Sequence, residues 1–346
     1  MSKLGLIQCG VGGMGAAWIN DASTKSPDFD LVALVDVVPA NLEKAGEQTG
    51  VPAERRFASL EEAIAAAKSG AFKADAVLTV TPPVVHVQHA RLAFENDLHL
   101  ITEKPIGDTF ESAQEMVRLA REAGKQLVVS QNYRYKPSAL KWRELIESAP
   151  VGEFGHGHLD FYIPGDFTGS FREHMEFPLL VDMAIHHMDL IRASTGRDIE
   201  RVAVQSFKPS WSWYSHEPGL KMLMELEGNM PFSYSGDWTA RGRATSWNGN
   251  WRLQCAEGSL HWEDDKIIVA RSERWSKNPS EEEIEIPSYE FAGLAGTLHA
   301  FAGAIQTGTP AATSGEDNLR SFAAVMASVR SAQENRPVEI SEILNG

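Results

Sequence analysis

From residue 4 to about residue 130, short and nearly continuous apolar runs alternate with segments of helical periodicity. The runs are "LGLIQCG", "DLVALVD", "ADAVLTV", "LHLITEKP" and "QLVVSQNY". Between them, helices are expected from about residue 13, near 40 to 49, and over "SLEEAIAAAK", "VHVQHARLAFEN" and "ESAQEMVRLAREAG". Strands apolar on both faces need helices covering both faces, so the alternation predicts a doubly wound parallel sheet of the Rossmann type.

After "QNYRYKPSALKWRELIE" the pattern changes to longer, aromatic-rich stretches of period two: "HGHLDFYI", "RVAVQSFK", "KMLMELEG", "PFSYSGDW" and "SLHWEDDKIIVA". These predict antiparallel strands with one buried face. In "TSWNGNWRLQC", Asn248-Gly249 predicts a type I′ hairpin, which needs positive φ at both central residues. "SGEDNLRSFAAVMASVRSAQENRPVEI" predicts a helix over about 315–334, capped by Ser314 and stopped before Pro337, packing back toward the first domain. The expected architecture is α/β: a dinucleotide-binding Rossmann domain over 1–130, then an α+β domain over 131–346 with a large open, mostly antiparallel sheet. The second domain is assigned to substrate binding and oligomerisation.

A length of 346 residues and an apolar content of 43% agree with two domains. The formal charge of -15 and the lack of a long basic cluster argue against nucleic acid or an anionic membrane as the main partner, leaving a small molecule. "MSKLGLIQCG" enters a strand without a signal-peptide pattern, and no apolar run reaches the length of a bilayer span, so the expected location is the cytoplasm. Cys9 and Cys255 lie far apart without C-x-x-C spacing, which indicates buried thiols rather than a disulfide framework or a zinc knuckle.

"LGLIQCGVGGMG" sets Gly10, Gly12 and Gly15 in G-x-G-x-x-G register between a strand and a helix, with Val11, Gly13 and Met14 completing the loop. The first glycine permits the turn, the second a close approach of backbone to a pyrophosphate, and the third helix–strand packing, while the helix N-terminus attracts phosphate. The next strand ends at Asp36, about twenty residues on, where a carboxylate accepts the hydroxyls of an adenosine ribose. Asp36 repels a 2′-phosphate and "VVPAN" offers no adjacent base, so NAD is favoured over NADP; Lys44, further along, is the one residue that could reverse this. Thr81 and Pro82 are expected to line the cofactor, and His86 to begin a helix beside the adenosine. Asn132 and Tyr133, after the last Rossmann strand, either border the nicotinamide and substrate or form a packing turn at the domain junction.

"PLLVDMAIHHMDLIR" places polar residues in an oily helical stretch. At 100° per residue, Asp182, His186 and Asp189 share one stripe, while His187 points away among Met183, Leu190 and Ile191. The spacing suits a metal, a base with its orienter, or a hydrogen-bonded structural cluster.

With "TVTPPVVH", "ITEKPIGDT" and the D-x-x-x-H of Asp182 and His186, the chain resembles the glucose-fructose oxidoreductase/inositol dehydrogenase (Gfo/Idh/MocA) family over essentially its full length. The resemblance implies that Glu103-Lys104-Pro105 lies at the cofactor, commonly with a cis Lys-Pro bond. It also implies that Lys104, Asp182 and His186 are the catalytic trio; with Tyr133, expected there from its place after the last Rossmann strand, they would meet the substrate. Ala184 replaces a usual glycine and "EFPLL" replaces a glycine-rich lead-in, which touches substrate identity more than chemistry.

Independently of the resemblance, a lysine at the carboxyl end of a parallel strand stands over the ligand crevice and can stabilise charge on a reacting oxygen. A histidine titrating near neutrality suits a general base. No further ligand cluster supports a metal. Arg172, Arg241 and Arg243 are read as solvated or interface charges, and most second-domain tryptophans as sheet packing. The expectation is an NAD-dependent dehydrogenase acting on a secondary hydroxyl of a sugar, sugar derivative or cyclitol, assembled as a homodimer or homotetramer through the open sheet. An NAD-dependent glycosidase and a non-catalytic NAD-binding regulator are the rivals.

Overall fold

The structure, a computed structural model, describes residues 3–345. Six strands, β1 (Leu4–Cys9), β2 (Phe29–Val35), β3 (Arg56–Phe57), β4 (Ala76–Thr79), β5 (His99–Thr102) and β6 (Leu127–Val129), form the first sheet. All pairs are parallel and the order is β3-β2-β1-β4-β5-β6. The order reverses between β1 and β4, so the loops leaving these two strands flank the crevice where such sheets take a ligand.

The unit containing this sheet runs to Tyr135 and then recruits Glu290–Leu319, so it is discontinuous where the sequence suggested one boundary near residue 130. The recruited part includes a helix, Gly293–Thr307, absent from the sequence reading. Its Leu294, Leu298, Phe301 and Ala302 join Trp18, Phe29, Ile101 and Val128 in one buried cluster. Phe29 and Phe301 stack at 5.7 Å between ring centroids. Its less buried side is mostly Ala and Gly, with His299, Gln306 and Thr307 its exposed polar residues, so little polarity marks its period, and interior glycines weaken the local signal further. The next helix, Gly315–Glu334, starts where expected: Ser314 Oγ accepts from Asp317 N at 3.3 Å. Its first residue seats on β6, where a Cβ on Gly315 would come within 2.6 Å of Leu127.

The second unit holds nine strands: β7 (Phe154–Tyr162), β8 (Ile199–Phe207), β9 (Gly219–Leu226), β10 (Met230–Asp237), β11 (Asn250–Cys255), β12 (Gly258–Glu263), β13 (Lys266–Arg271), β14 (Ser280–Ile284) and β15 (Val338–Glu339). Their order is β14-β13-β12-β11-β7-β10-β9-β8-β15, antiparallel except for the parallel β7–β10 pair. One face buries Leu159, Phe161, Met222, Met224, Phe232, Tyr234, Trp251 and Leu253. Against it lies the helix Ala184–Thr195, whose His187 ring meets Phe161, Tyr234 and Trp251 edge-on. The edge strand β14 exposes Glu281, Glu282 and Glu283, charge that discourages further strand pairing.

Asn248-Gly249 does not close a hairpin, because β7 lies between β10 and β11. Gly249 alone has positive φ (76°), in a turn closed by Gly249 N donating to Ser246 O at 3.0 Å. The positive-φ pair instead falls on Asp264 and Asp265 (49° and 62°), between β12 and β13. Among the described residues no helix is long and apolar enough to cross a membrane.

Candidate functional site

The glycine loop leaves β1 and enters the helix Gly13–Trp18. Gly10 has φ of 82°, and a Cβ there would lie 2.1 Å from Val80 O. A Cβ on Gly15 would lie 2.1 Å from Gly10 O, so the helix crosses the strand end at a distance only glycine allows. In front of Gly13 there is no atom within 4 Å of an added Cβ, which leaves open space over the loop. From beneath, buried Gln8 donates to Gly15 O at 2.9 Å and accepts from Ser23 Oγ at 2.8 Å. Nothing in the linear pattern distinguished Gln8 from an ordinary strand residue.

Asp36 follows β2 with one oxygen accepting from Val11 N and the other from Val38 N, both at 2.9 Å. Asn41 Nδ2 approaches the second oxygen at 3.3 Å. These bonds pin the partly exposed carboxylate beside the loop, and the oxygen bound to Val11 N has a second lone pair with which to accept again. The side-chain-free cradle, the orphan amides of a helix start and this fixed acceptor together fit a dinucleotide. Gly10, Val11, Gly12, Gly13, Met14, Gly15 and Asp36 would hold it. Lys44, exposed in the helix Pro39–Thr49, forms no bond to Asp36.

Thr81 and Pro82 follow β4, the first half-buried and the second exposed. His86, assigned to the cofactor from sequence, is instead completely buried. Its Nε2 meets Thr81 O at 2.9 Å and its Nδ1 meets Thr102 Oγ1 at 3.0 Å. Burial lowers its pKa, so the neutral ring ties the loop after β4 to the end of β5 and has no surface left for a ligand. His89 sits behind it on Thr79 Oγ1 at 2.8 Å and is driven by burial down to about 4.

Glu103 is likewise turned inward. Its carboxylate accepts from Trp18 Nε1 at 2.7 Å and from Lys104 N at 3.1 Å, which removes it from direct cofactor contact. Burial raises its pKa, opposed by the Trp18 bond and the Lys104 charge. Lys104 itself is half-buried and precedes a cis Lys104-Pro105 bond. Asn132 and Tyr133, both partly exposed, occupy the 3-10 turn Asn132–Tyr135 after β6.

In the second unit the expected single stripe does not exist. Leu179–Met183 forms a π-helical turn, preceded by Phe177 at φ 48°, and the α-helix begins only at Ala184. The wider turn breaks the 100° step between Asp182 and His186, an irregularity frequent at functional sites. Asp182 accepts from Arg172 Nε at 2.6 Å, so Arg172 is an ion-pair partner and not the solvated charge read from sequence. His186 is 8% exposed and Asp189 only 1%. Asp189 accepts from Ser321 Oγ at 2.7 Å, and the same hydroxyl accepts from Arg192 Nη1 at 2.7 Å, which makes Asp189 a helix-packing residue and not a cleft residue. Arg243 pairs at the surface with Asp264, and Arg241 lies over Trp211.

His187 points away, as expected. It is completely buried, its Nδ1 is 2.8 Å from Tyr234 Oη, and burial lowers its pKa to about 3. An unfolded histidine titrates near 6.5, so below that value the unfolded chain takes up a proton that the folded chain refuses until about pH 3. Stability is therefore present above the unfolded pKa and falls as the pH drops. Between about pH 7 and about pH 5 this one group costs about 2 kcal/mol. Urea unfolding of wild type and His187→Gln should show that difference in pH dependence; parallel curves would contradict a neutral buried ring.

Taken with the sheet order, the glycine loop and Asp36 define a dinucleotide-binding Rossmann unit. Residues 5–131 match the family model described as "Oxidoreductase family, NAD-binding Rossmann fold" (GFO_IDH_MocA). The inositol 2-dehydrogenase 1 of Paenarthrobacter aurescens is 30% identical over 227 residues, covering 64% of this chain and 63% of that protein. The D-apiose dehydrogenase of Paraburkholderia graminis is 25% identical, covering 91% of this chain and 84% of that protein. A solved oxidoreductase from Agrobacterium radiobacter, in complex with NAD+, L-tartaric acid and magnesium, superposes with a TM-score of 0.87 at 19% identity, over 99% of this chain and all of that one; it shares the fold. The match to the Gfo/Idh/MocA oxidoreductase family thus covers the nucleotide-binding part of the chain, residues 5–131.

Proposed function

We propose that the protein is an NAD-dependent dehydrogenase that interconverts a secondary hydroxyl and a ketone on a sugar, sugar derivative or cyclitol. The observation that carries this reading is the Asp36 carboxylate, fixed by two backbone amides beside an open glycine loop. When bound, the dinucleotide supplies a hydride acceptor in one direction and a hydride donor in the other. Lys104 donates a hydrogen bond to the reacting oxygen and stabilises its developing negative charge. His186 takes the hydroxyl proton in oxidation and returns it in reduction. Asp182 accepts a substrate hydroxyl and orients it. The inositol and apiose dehydrogenases named among the relatives support a polyhydroxylated substrate.

Purified protein incubated with NAD and a panel of inositols, aldoses, sugar acids and glycosides should form NADH with at least one free polyol. Sugar release without net NADH would favour a glycosidase, and no change with any compound a binding regulator. NAD should bind more tightly than NADP, because a 2′-phosphate would face the Asp36 charge, and Asp36→Ala should narrow the gap. Titration of both cofactors decides this, and a wild-type preference for NADP would overturn it. Association of copies through the open face of the nine-stranded sheet, where Leu223 is 67% exposed, completes the proposal. Sedimentation of Leu223→Glu should show weakened assembly, and a monomeric wild type would refute it.

A further inference from the structure

β7 and β10 run parallel and β9 begins beside the end of β10, so the loops 163–178, 208–218 and 238–249 gather at one end of the second sheet. Arg172 belongs to the first of these loops. It reaches Asp182 through Nε at 2.6 Å and Nη2 at 3.4 Å, a two-point grip. Its guanidinium lies 5.1 Å from the Phe167 ring centroid and 4.7 Å from that of Phe171. Phe167 is backed by Trp238 at 5.0 Å, Trp238 stacks on Tyr214 at 6.1 Å, and Tyr214 Oη donates to Gly165 O at 2.6 Å. The arginine is thus bracketed by two rings, of which Phe167 is itself anchored and Phe171 is exposed. The side chains of Arg172 and Asp182 are 29% and 15% exposed, so the pair is partly shielded from water and less screened by salt than a surface pair.

We propose that Arg172 is a positioning residue that holds Asp182 ionised and in one orientation, so that Asp182 serves the substrate only as an acceptor and proton transfer falls to His186. This inference rests on the reading of Asp182 as a substrate contact. Arg172 pairs with Asp182, His186 lies on the following turn, and Arg172, Asp166, Asp182 and Asp237 all act on the nearby Tyr214 phenol. Burial raises the Tyr214 pKa, so the phenol stays neutral and adds no charge. At that phenol the three carboxylates raise the pKa further and Arg172 opposes them. Without it, a largely buried carboxylate would lose its counter-charge and take up a proton more readily.

The test uses the full-length protein as wild type, Arg172→Ala, Arg172→Lys and Asp182→Asn. The first readout is a carbon NMR titration of the Asp182 carboxyl, identified by its loss in Asp182→Asn. The second is the pH profile of kcat and KM with the best substrate of the panel. In Arg172→Ala the carboxyl midpoint should rise by about one unit or more, the acidic limb of kcat should move with it, and kcat at neutral pH should fall roughly 10- to 100-fold. NAD affinity should stay unchanged. Arg172→Lys, which keeps the charge without the planar fork, should show the same shifts at smaller size and is the variant to read if Arg172→Ala does not fold. An unmoved carboxyl midpoint in these variants overturns the proposal. Undiminished kcat in Asp182→Asn overturns instead the reading of Asp182 as a substrate contact, while the NMR midpoint still decides what Arg172 does.

Discussion

His186→Ala is expected to lower turnover by roughly 10²- to 10⁴-fold and to erase the limb of the pH–rate profile that reports the general base. The adjacent His187→Ala is expected to leave kcat within a few-fold while lowering stability by about 2–4 kcal/mol, through a cavity and a broken bond to Tyr234. The asymmetry comes from the environment of two neighbouring rings. His187 is sealed among Phe161, Tyr234 and Trp251 and held far below the range in which a base works at neutral pH. His186 keeps 8% of its surface exposed at the start of the same helix, beside the turn that carries Asp182. Steady-state kinetics and urea unfolding on both variants separate the roles. Equal kinetic damage from the two substitutions would mean that the assignment of helix faces is wrong.

Lys104→Ala is expected to cost roughly 100-fold or more in turnover while NAD affinity stays within a few-fold, because the ammonium acts mainly on charge that appears on the substrate oxygen during reaction. Glu103 sharpens the expectation. Its carboxylate is committed to Trp18 and to the Lys104 amide, so it anchors the backbone from which the lysine projects. Glu103→Ala should therefore impair folding of this segment before it impairs chemistry. Turnover that survives Lys104→Ala with the best substrate would remove the lysine from the mechanism.

The Rossmann strands, the glycine loop and Asp36 were legible because each is written locally: continuous apolar runs, glycines at fixed offsets, an acid at a strand end. The helix Gly293–Thr307 was not, since it packs into a core formed more than 150 residues earlier in the chain and carries few polar residues on its exposed side. The stripe through Asp182, His186 and Asp189 failed where a π-turn replaced the assumed α step. Asp189 then found Ser321, a partner 132 residues away that helix geometry could not supply. Arg172 escaped for the same reason: a loop arginine acquires its meaning from the carboxylate and rings that the tertiary fold brings to it. His86 and Glu103 were expected at the cofactor, but burial turns their side chains into supports for the loops.

The claim that hydrogen leaves a secondary carbinol of the substrate for the dinucleotide is tested most directly by isotope transfer. The best substrate of the panel is deuterated at the carbon to be oxidised, and the recovered cofactor is weighed by mass spectrometry after turnover. One deuterium per NADH formed, with a ketone product that has lost it, is the predicted result. Deuterium retained in the released sugar with no net gain in the cofactor pool would contradict the dehydrogenase assignment.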